Sequence, residues 1–171
     1  MGDAIGTTLE FRPPGSFTPL NEIIGDGPFR LQPGEWTDDT SMARCLAESL
    51  VAKRFDPANQ MKQYLRRYRT GHMGSNSRCF DIGNTTREAL LRFEKTGNPF
   101  AGPTAPESRR KRLNYASRGR TALLFENPEG VRMSGESSQT THGASVTVDA
   151  CRYEPVPVDN CGFDSSRDYF R

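Results

Sequence analysis

The run Thr37-Asp38-Asp39-Thr40 lies where a loop of Pro and Gly (Pro28, Pro33, Gly34) gives way to a helical pattern. From Thr40 to Arg54 the apolar residues Met42, Leu46 and Leu50 recur at a helical interval, with Ala43, Ala47 and Val51 beside them. That spacing predicts a helix with one buried stripe. Two adjacent carboxylates and two hydroxyls therefore stand at a helix N-terminus.

Two readings of that run follow from its chemistry. Asp and Thr are preferred N-cap residues, and acids suit the positive end of the helix dipole. One Asp suffices for a cap, however. Adjacent acids flanked by hydroxyls form an all-oxygen donor set, which suits a hard cation such as Mg²⁺ or Mn²⁺. The dipole opposes a cation at this end, so such a site needs both acids and further ligands from elsewhere in the chain.

The other elements also read as helix. Asp56-Pro57 is a helix start, with Asp as N-cap and Pro in the first position. It opens a helix over 57–70 with Met61, Leu65 and Tyr68 on one stripe and Gly71 as its stop. Thr85 and Glu88 have capping-box spacing, which predicts a helix over 86–95 closed by Gly97. Pro128–Gln139 and Ala144–Tyr153 complete the set. No hairpin signal appears, so the fold class is all-α. Gly2 to Phe11 reads as a frayed start with Asp3 and Glu10 as its acids, and 12–33 as loop. Asp81 and Asn84 stand just outside a helix start, where turn chemistry and a cleft-facing role both suit them. His72 reads as solvent-exposed, Trp36 as core, and His142, between Thr141 and Gly143, as a ligand contact or a cap.

Composition excludes several classes. The 171 residues suffice for one domain with a core. No apolar run reaches membrane length and no signal peptide opens the chain, which reads as cytoplasmic. Cys45, Cys79, Cys151 and Cys161 have no C-x-x-C spacing, and the simplest account is reduced thiols. The net charge of +2 is uneven: residues 103–120 carry six basic residues against Glu107, which leaves the rest at −3. That basic run (109–120) offers a nucleic-acid-binding alternative. Tyr115 is its only aromatic, so a base-stacking surface is poorly supported and nucleic acid is not the expected partner.

Four motifs occur in a fixed order: Gly2-Asp3-Ala4-Ile5-Gly6 leading to Glu10-Phe11, Trp36-Thr37-Asp38-Asp39-Thr40, Phe80-Asp81-Ile82-Gly83-Asn84-Thr85-Thr86, and Ser138-Gln139-Thr140-Thr141-His142-Gly143. Together they resemble the ADP-ribosylglycohydrolase family, of which the enzyme that removes ADP-ribose from an arginine of dinitrogenase reductase is a member. The resemblance implies a partial helical domain over 1–153, with 103–120 an aberrant basic loop and 154–171 an irregular tail. It implies two Mg²⁺ or Mn²⁺ ions, with Thr37, Asp38 and Asp39 as one group of ligands. It implies hydrolysis of the glycosidic bond between ADP-ribose and an acceptor: arginine, serine or a small molecule. Asp81 and Glu10 match the catalytic acids, and Gly83, Asn84 and His142 match substrate contacts. The partners implied are an ADP-ribosylated protein or a small ADP-ribose conjugate, met by a monomer.

This sequence departs from the family in two places. The family's second ligand group, an Asp-x-Asp-Thr run, has no counterpart after Gly143, and a helix that precedes Gly2 in the family is missing. The chain thus reads as an internal piece of the family fold. Where the family has Gly-Asn-Gly-Ser-(Ile/Leu)-Met-Arg, this chain has Arg110 to Ser117. Codons exist for Arg110 to Ser117 that, read one base over, encode Gly-Asn-Gly-Ser-Ile-Met-Arg. A frame shift entering before Arg110 and corrected before Leu123 is the resulting expectation, with a weaker hint of the same kind at Val158 to Gly162. The chain as it stands is expected to be weakly active or inactive, and the alternative is an inactive fragment that binds ADP-ribose or metal weakly.

Overall fold

The computed structural model describes residues 2–104 and 128–153. All regular elements among them are helical: α1 (Gly2–Gly6) with a 3-10 turn (Thr7–Leu9), α2 (Asp38–Lys53), α3 (Pro57–Thr70), α4 (Asn84–Thr96), α5 (Pro128–Thr141) and α6 (Ser145–Tyr153). One isolated antiparallel bridge, Asp26 to Leu31, pins the long loop between α1 and α2. The basic run and the tail, with the frame-shift expectation they carry, fall outside the described residues, except for Pro103 and Thr104.

The α2 stripe forms as its spacing requires, with Met42, Cys45, Leu46 and Ser49 buried. The flanking apolar residues do not all join it: Val51 is 90% exposed. The α3 cap is as expected. The Asp56 carboxylate accepts from Ala58 N at 2.9 Å and Asn59 N at 3.1 Å, and Pro57 occupies the first turn. Its buried face differs from the expected stripe. Gln60, Met61, Tyr64 and Arg67 are buried, while Leu65 and Tyr68 are only partly covered. At α4 the expected capping box is absent. The helix starts at Asn84 with Gly83 as N-cap and no side-chain cap. Thr85 is buried inside the first turn, and Glu88 pairs with Arg92 along the surface instead. Burial of Thr85 within the turn, and not at its end, is what separates the structure from the expected box.

The core joins Met42, Cys45 and Leu46 of α2, Met61 and Tyr64 of α3, and Ala89, Leu90 and Phe93 of α4, with Ala101 beyond. α2 packs most extensively on α3 and α5 on α6, with α4 touching both α3 and α5. The α5 interface is built of small polar residues: Ser134, Gly135, Ser137, Ser138, Thr140 and Thr141 are all buried. Gln60 satisfies this surface from α3, donating to Ser137 Oγ and to Thr140 Oγ1, each at 3.1 Å. A buried polar seam of this kind is stable only because its members are paired.

The loop over 71–83 runs from the end of α3 to the start of α4 and is tied on both sides. Trp36 is not a core residue. Its indole N–H donates to Met73 O, Ser75 Oγ donates to Trp36 O, and the Arg44 guanidinium lies over its ring. His72 is not exposed, since its Nε2 lies 2.6 Å from Glu48 Oε2. Gly71 ends α3 at φ 72°, and a Cβ there would meet Ser77 O at 2.4 Å. Gly71→Ala is therefore expected to cost more than about 1 kcal/mol, since both its φ and the available space exclude a side chain. It should also shift the loop. Thermal unfolding and Trp36 fluorescence check this; an unchanged midpoint with unchanged emission would contradict it.

Candidate metal and substrate site

The N-terminus of α2 is capped from outside the helix. Thr37 is the N-cap residue but its own side chain makes no cap bond. Instead the Asp3 carboxylate accepts from Thr37 N, at 3.2 Å to Oδ1 and 3.1 Å to Oδ2, from Thr37 Oγ1 at 2.8 Å, and from Thr40 N at 3.0 Å. Asp3 thereby fills the orphan donors of the first turn and sets its charge against the positive dipole end. The start of the chain is accordingly not frayed: α1 is docked, with Ala4 buried. Thr37 is buried, Asp38 half-buried and Asp39 exposed. Neither Asp38 nor Asp39 serves as N-cap, so the capping reading of the pair does not hold.

Asp81 arrives from the tied loop. It adopts φ 46°, a left-handed conformation that Asp tolerates better than most residues. Burial pushes its carboxyl above the usual carboxylate range. Arg67 opposes the shift, the charges of Asp39 and Asp3 add to it, and a hydrogen bond with Asp38 opposes it. Asp3, Asp38 and Asp39 therefore all act on the Asp81 carboxyl and form one acidic cluster around it. Cys79 stands at its edge: burial pushes its thiol up, Arg67 opposes, and the Asp38 charge adds.

Glu10 follows the 3-10 turn, its N–H donating to Thr7 O at 3.3 Å. It lines a cavity of about 630 Å³ with Thr8, Arg12, Phe17, Asp26 and Pro28. An aromatic chain links this side to Asp81: Phe11 to Phe29 at 6.1 Å and Phe29 to Phe80 at 5.6 Å between ring centroids. Gly83 and Asn84 are exposed at the uncapped start of α4. His142 ends α5, its Nδ1 3.0 Å from Thr141 Oγ1 and its N–H donating to Ser138 O at 2.7 Å. Beside it Gly102 and Gly143 touch backbone to backbone, where a Cβ on either would meet the other at 2.6 Å.

The structure thus joins Thr37, Asp38, Asp39 and Asp81. It adds two residues that the sequence reading left out of the site, Asp3 and Arg67. The signal for Asp3 was its place in the first of the four motifs. The signal for Arg67 was a charge three residues from Tyr64, on the face that α3 buries. The cluster's donors are oxygens only, which suits a hard divalent cation. Among the described residues, no three His, Cys, Asp or Glu side chains converge into a set that would hold an ion unaided. A cation there needs water or further ligands.

An all-helical fold carrying these motifs defines the class: the chain belongs to the ADP-ribosylglycohydrolase family, whose model matches residues 1–153. It is 43% identical over 164 residues to the ADP-ribosylarginine hydrolase Tri1 of Serratia proteamaculans (strain 568), covering 90% of this chain and 42% of that protein. It is 34% identical over 106 residues to the ADP-ribosyl-[dinitrogen reductase] glycohydrolase of Rhodospirillum rubrum, covering 59% of this chain and 34% of that protein. A solved structure of an ADP-ribosylglycohydrolase-related protein complex superposes with a TM-score of 0.70 at 40% identity, covering 88% of this chain and 48% of that one. The chain spans less than half the length of each of these relatives. No helix among the described residues is long and apolar enough to cross a membrane.

Two outcomes follow from the geometry. Asp3→Ala removes the bonds that satisfy Thr37 N, Thr37 Oγ1 and Thr40 N, and hydrogen bonds to charged groups contribute about 1.5–3 kcal/mol. A clear drop in the thermal midpoint is expected, with amide exchange at Thr37 and Thr40 rising first; unchanged exchange there would count against the cap. Asp81→Asn removes an acid whose charged form the fold disfavours. A raised folded-state pKa makes the carboxylate costly above that pKa and harmless below the unfolded value. The variant should therefore be more stable than the parent at pH 7 in EDTA, and the gain should vanish as pH falls through the ordinary carboxylate range. Unfolding midpoints across pH test this, and equal midpoints at pH 7 would refute it.

Proposed function

We propose that this chain carries the metal-binding and ribose-binding part of an ADP-ribosyl hydrolase site, acting on the bond between ADP-ribose and an arginine acceptor. One observation supports this reading above the rest: Asp3 holds the first turn of α2, which carries Asp38 and Asp39, and Asp81 stands near enough to these acids that burial, with the charges of Asp39 and Asp3 adding to it, pushes its carboxyl above the usual range. The relatives' names favour arginine among the possible acceptors, presented on an ADP-ribosylated protein or a small conjugate.

Thr37, Asp38 and Asp39 would hold Mg²⁺ or Mn²⁺, two ions by family resemblance. When bound, such ions supply Lewis-acid polarisation and neutralise the clustered negative charge. Asp81 does the proton work. A carboxyl with a raised pKa suits proton transfer near neutral pH, taking a proton from the attacking water and returning it to the leaving nitrogen. Glu10 sets a negative charge where positive charge develops on the ribose ring. Gly83 and Asn84 present the uncapped N–H groups of α4, whose positive dipole end suits a phosphate. His142 contacts the substrate from the end of α5.

The ligands named here leave much of an octahedral shell to water or to further groups. Turnover by this chain alone is therefore expected to be very low, since small misplacements of the reacting groups already cost about a hundredfold. The test pairs calorimetry of ADP-ribose binding with release of ADP-ribose from ADP-ribosyl-arginine peptide, both in millimolar Mn²⁺. Weak Mn²⁺-dependent binding that disappears in Asp38→Ala/Asp39→Ala is the expected result. Binding or turnover that survives the double substitution would sink the reading.

A further inference from the structure

We propose that Arg67 is the positioning residue for Asp81: its guanidinium fixes the two peptide planes on either side of Asp81 and so delivers that carboxylate to Asp38. The proposal rests on the reading that Asp81 belongs to the metal and substrate site.

Arg67 is 1% exposed, on the α3 face it shares with Gln60, Met61 and Tyr64. Burying a guanidinium there costs desolvation that a Leu or Met would avoid. Its Nε has no hydrogen-bond partner among the described residues. Fold stability therefore gives a poor account of this charge.

Its bonds do explain it. Nη2 donates to Phe80 O at 2.8 Å and reaches Asp81 O at 3.5 Å, while Nη1 lies 3.6 Å from Cys79 Sγ. The Phe80 carbonyl belongs to the peptide entering Asp81, and the Asp81 carbonyl to the peptide leaving it. Holding both planes sets φ and ψ of the residue between them, and Asp81 is in the left-handed region at φ 46°. A non-Gly residue keeps such a conformation only where its surroundings impose it. The planar fork of arginine can address consecutive carbonyls, which a single ammonium cannot do as well. Arg67 touches neither the water nor the ribose in this scheme; it acts through the loop.

The test uses the whole chain with Mn²⁺ alone as probe, in the parent, Arg67→Met, Asp81→Asn and the double variant. Substitutions that support a metal site without touching the metal commonly cost 10–100-fold in affinity. Arg67→Met and Asp81→Asn are each expected to weaken Mn²⁺ binding by about tenfold on that scale, and the double variant to bind no more weakly than Asp81→Asn. Losses that multiply, or an Arg67→Met affinity equal to the parent's, would overturn the proposal. If Arg67→Met does not fold, Arg67→Lys takes its place in the same cycle, with a smaller loss expected and the same criterion. Should Asp81→Asn bind Mn²⁺ like the parent, the site reading fails. The positioning claim is then decided by the crystal structure of the Arg67 variant. Departure of Asp81 from the left-handed region supports it, and retention of φ near the parent value overturns it.

Discussion

The Asp3 carboxylate is the contact on which the acidic site depends. A helix start has N–H groups without partners, and α2 begins with two acids that could each have served as cap. Because Asp3 supplies the cap from α1, Asp38 and Asp39 keep their carboxylates for other work. The same contact orients the Thr37 hydroxyl and docks the first residues of the chain. It also concentrates negative charge. Three acids now meet a helix N-terminus, and the dipole offsets only part of their mutual repulsion. The tied 71–83 loop adds a fourth acid, Asp81, whose carboxyl is pushed above the usual range by burial, with the charges of Asp39 and Asp3 adding to it.

Much of the helical frame was legible because it rests on local rules. Asp56-Pro57, the Gly71 and Gly97 stops and the α2 periodicity depend on a few neighbouring residues, and all are found in place. The Thr85–Glu88 capping box failed where tertiary packing intervened: Thr85 is buried in the first turn of α4, and spacing cannot report that. The family resemblance is borne out by the comparisons, and with it the all-α class. Of the expected site, Asp38 and Asp39 lie close enough to Asp81 to affect its carboxyl, and the roles given to Thr37, Asp38, Asp39, Asp81, Glu10, Gly83, Asn84 and His142 stand as proposals.

Asp3 and Arg67 were not legible as site residues for a shared reason. Each acts on backbone groups that are distant in sequence, Asp3 on residues 34 and 37 positions away and Arg67 on residues 13 and 14 positions away. A side chain that serves a remote main chain leaves no periodicity and no paired partner type. Arg67 also breaks the apolar pattern of α3, so hydropathy reads it as surface. Local rules thus recover the frame of this fold and miss the contacts that aim its acids.

The backbone contact between Gly102 and Gly143 has a consequence for how the chain tolerates change. Gly102 N donates to Gln139 O and Gly143 N to Pro103 O, so the strand of chain leaving at 104 is clamped against the end of α5. Gln60 holds Ser137 and Thr140 in the same stretch, so these contacts all gather at the C-terminal part of α5. A substitution at either glycine would push the backbone around residue 102 away from the end of α5, so its effect would spread along that helix and not stay at the glycine.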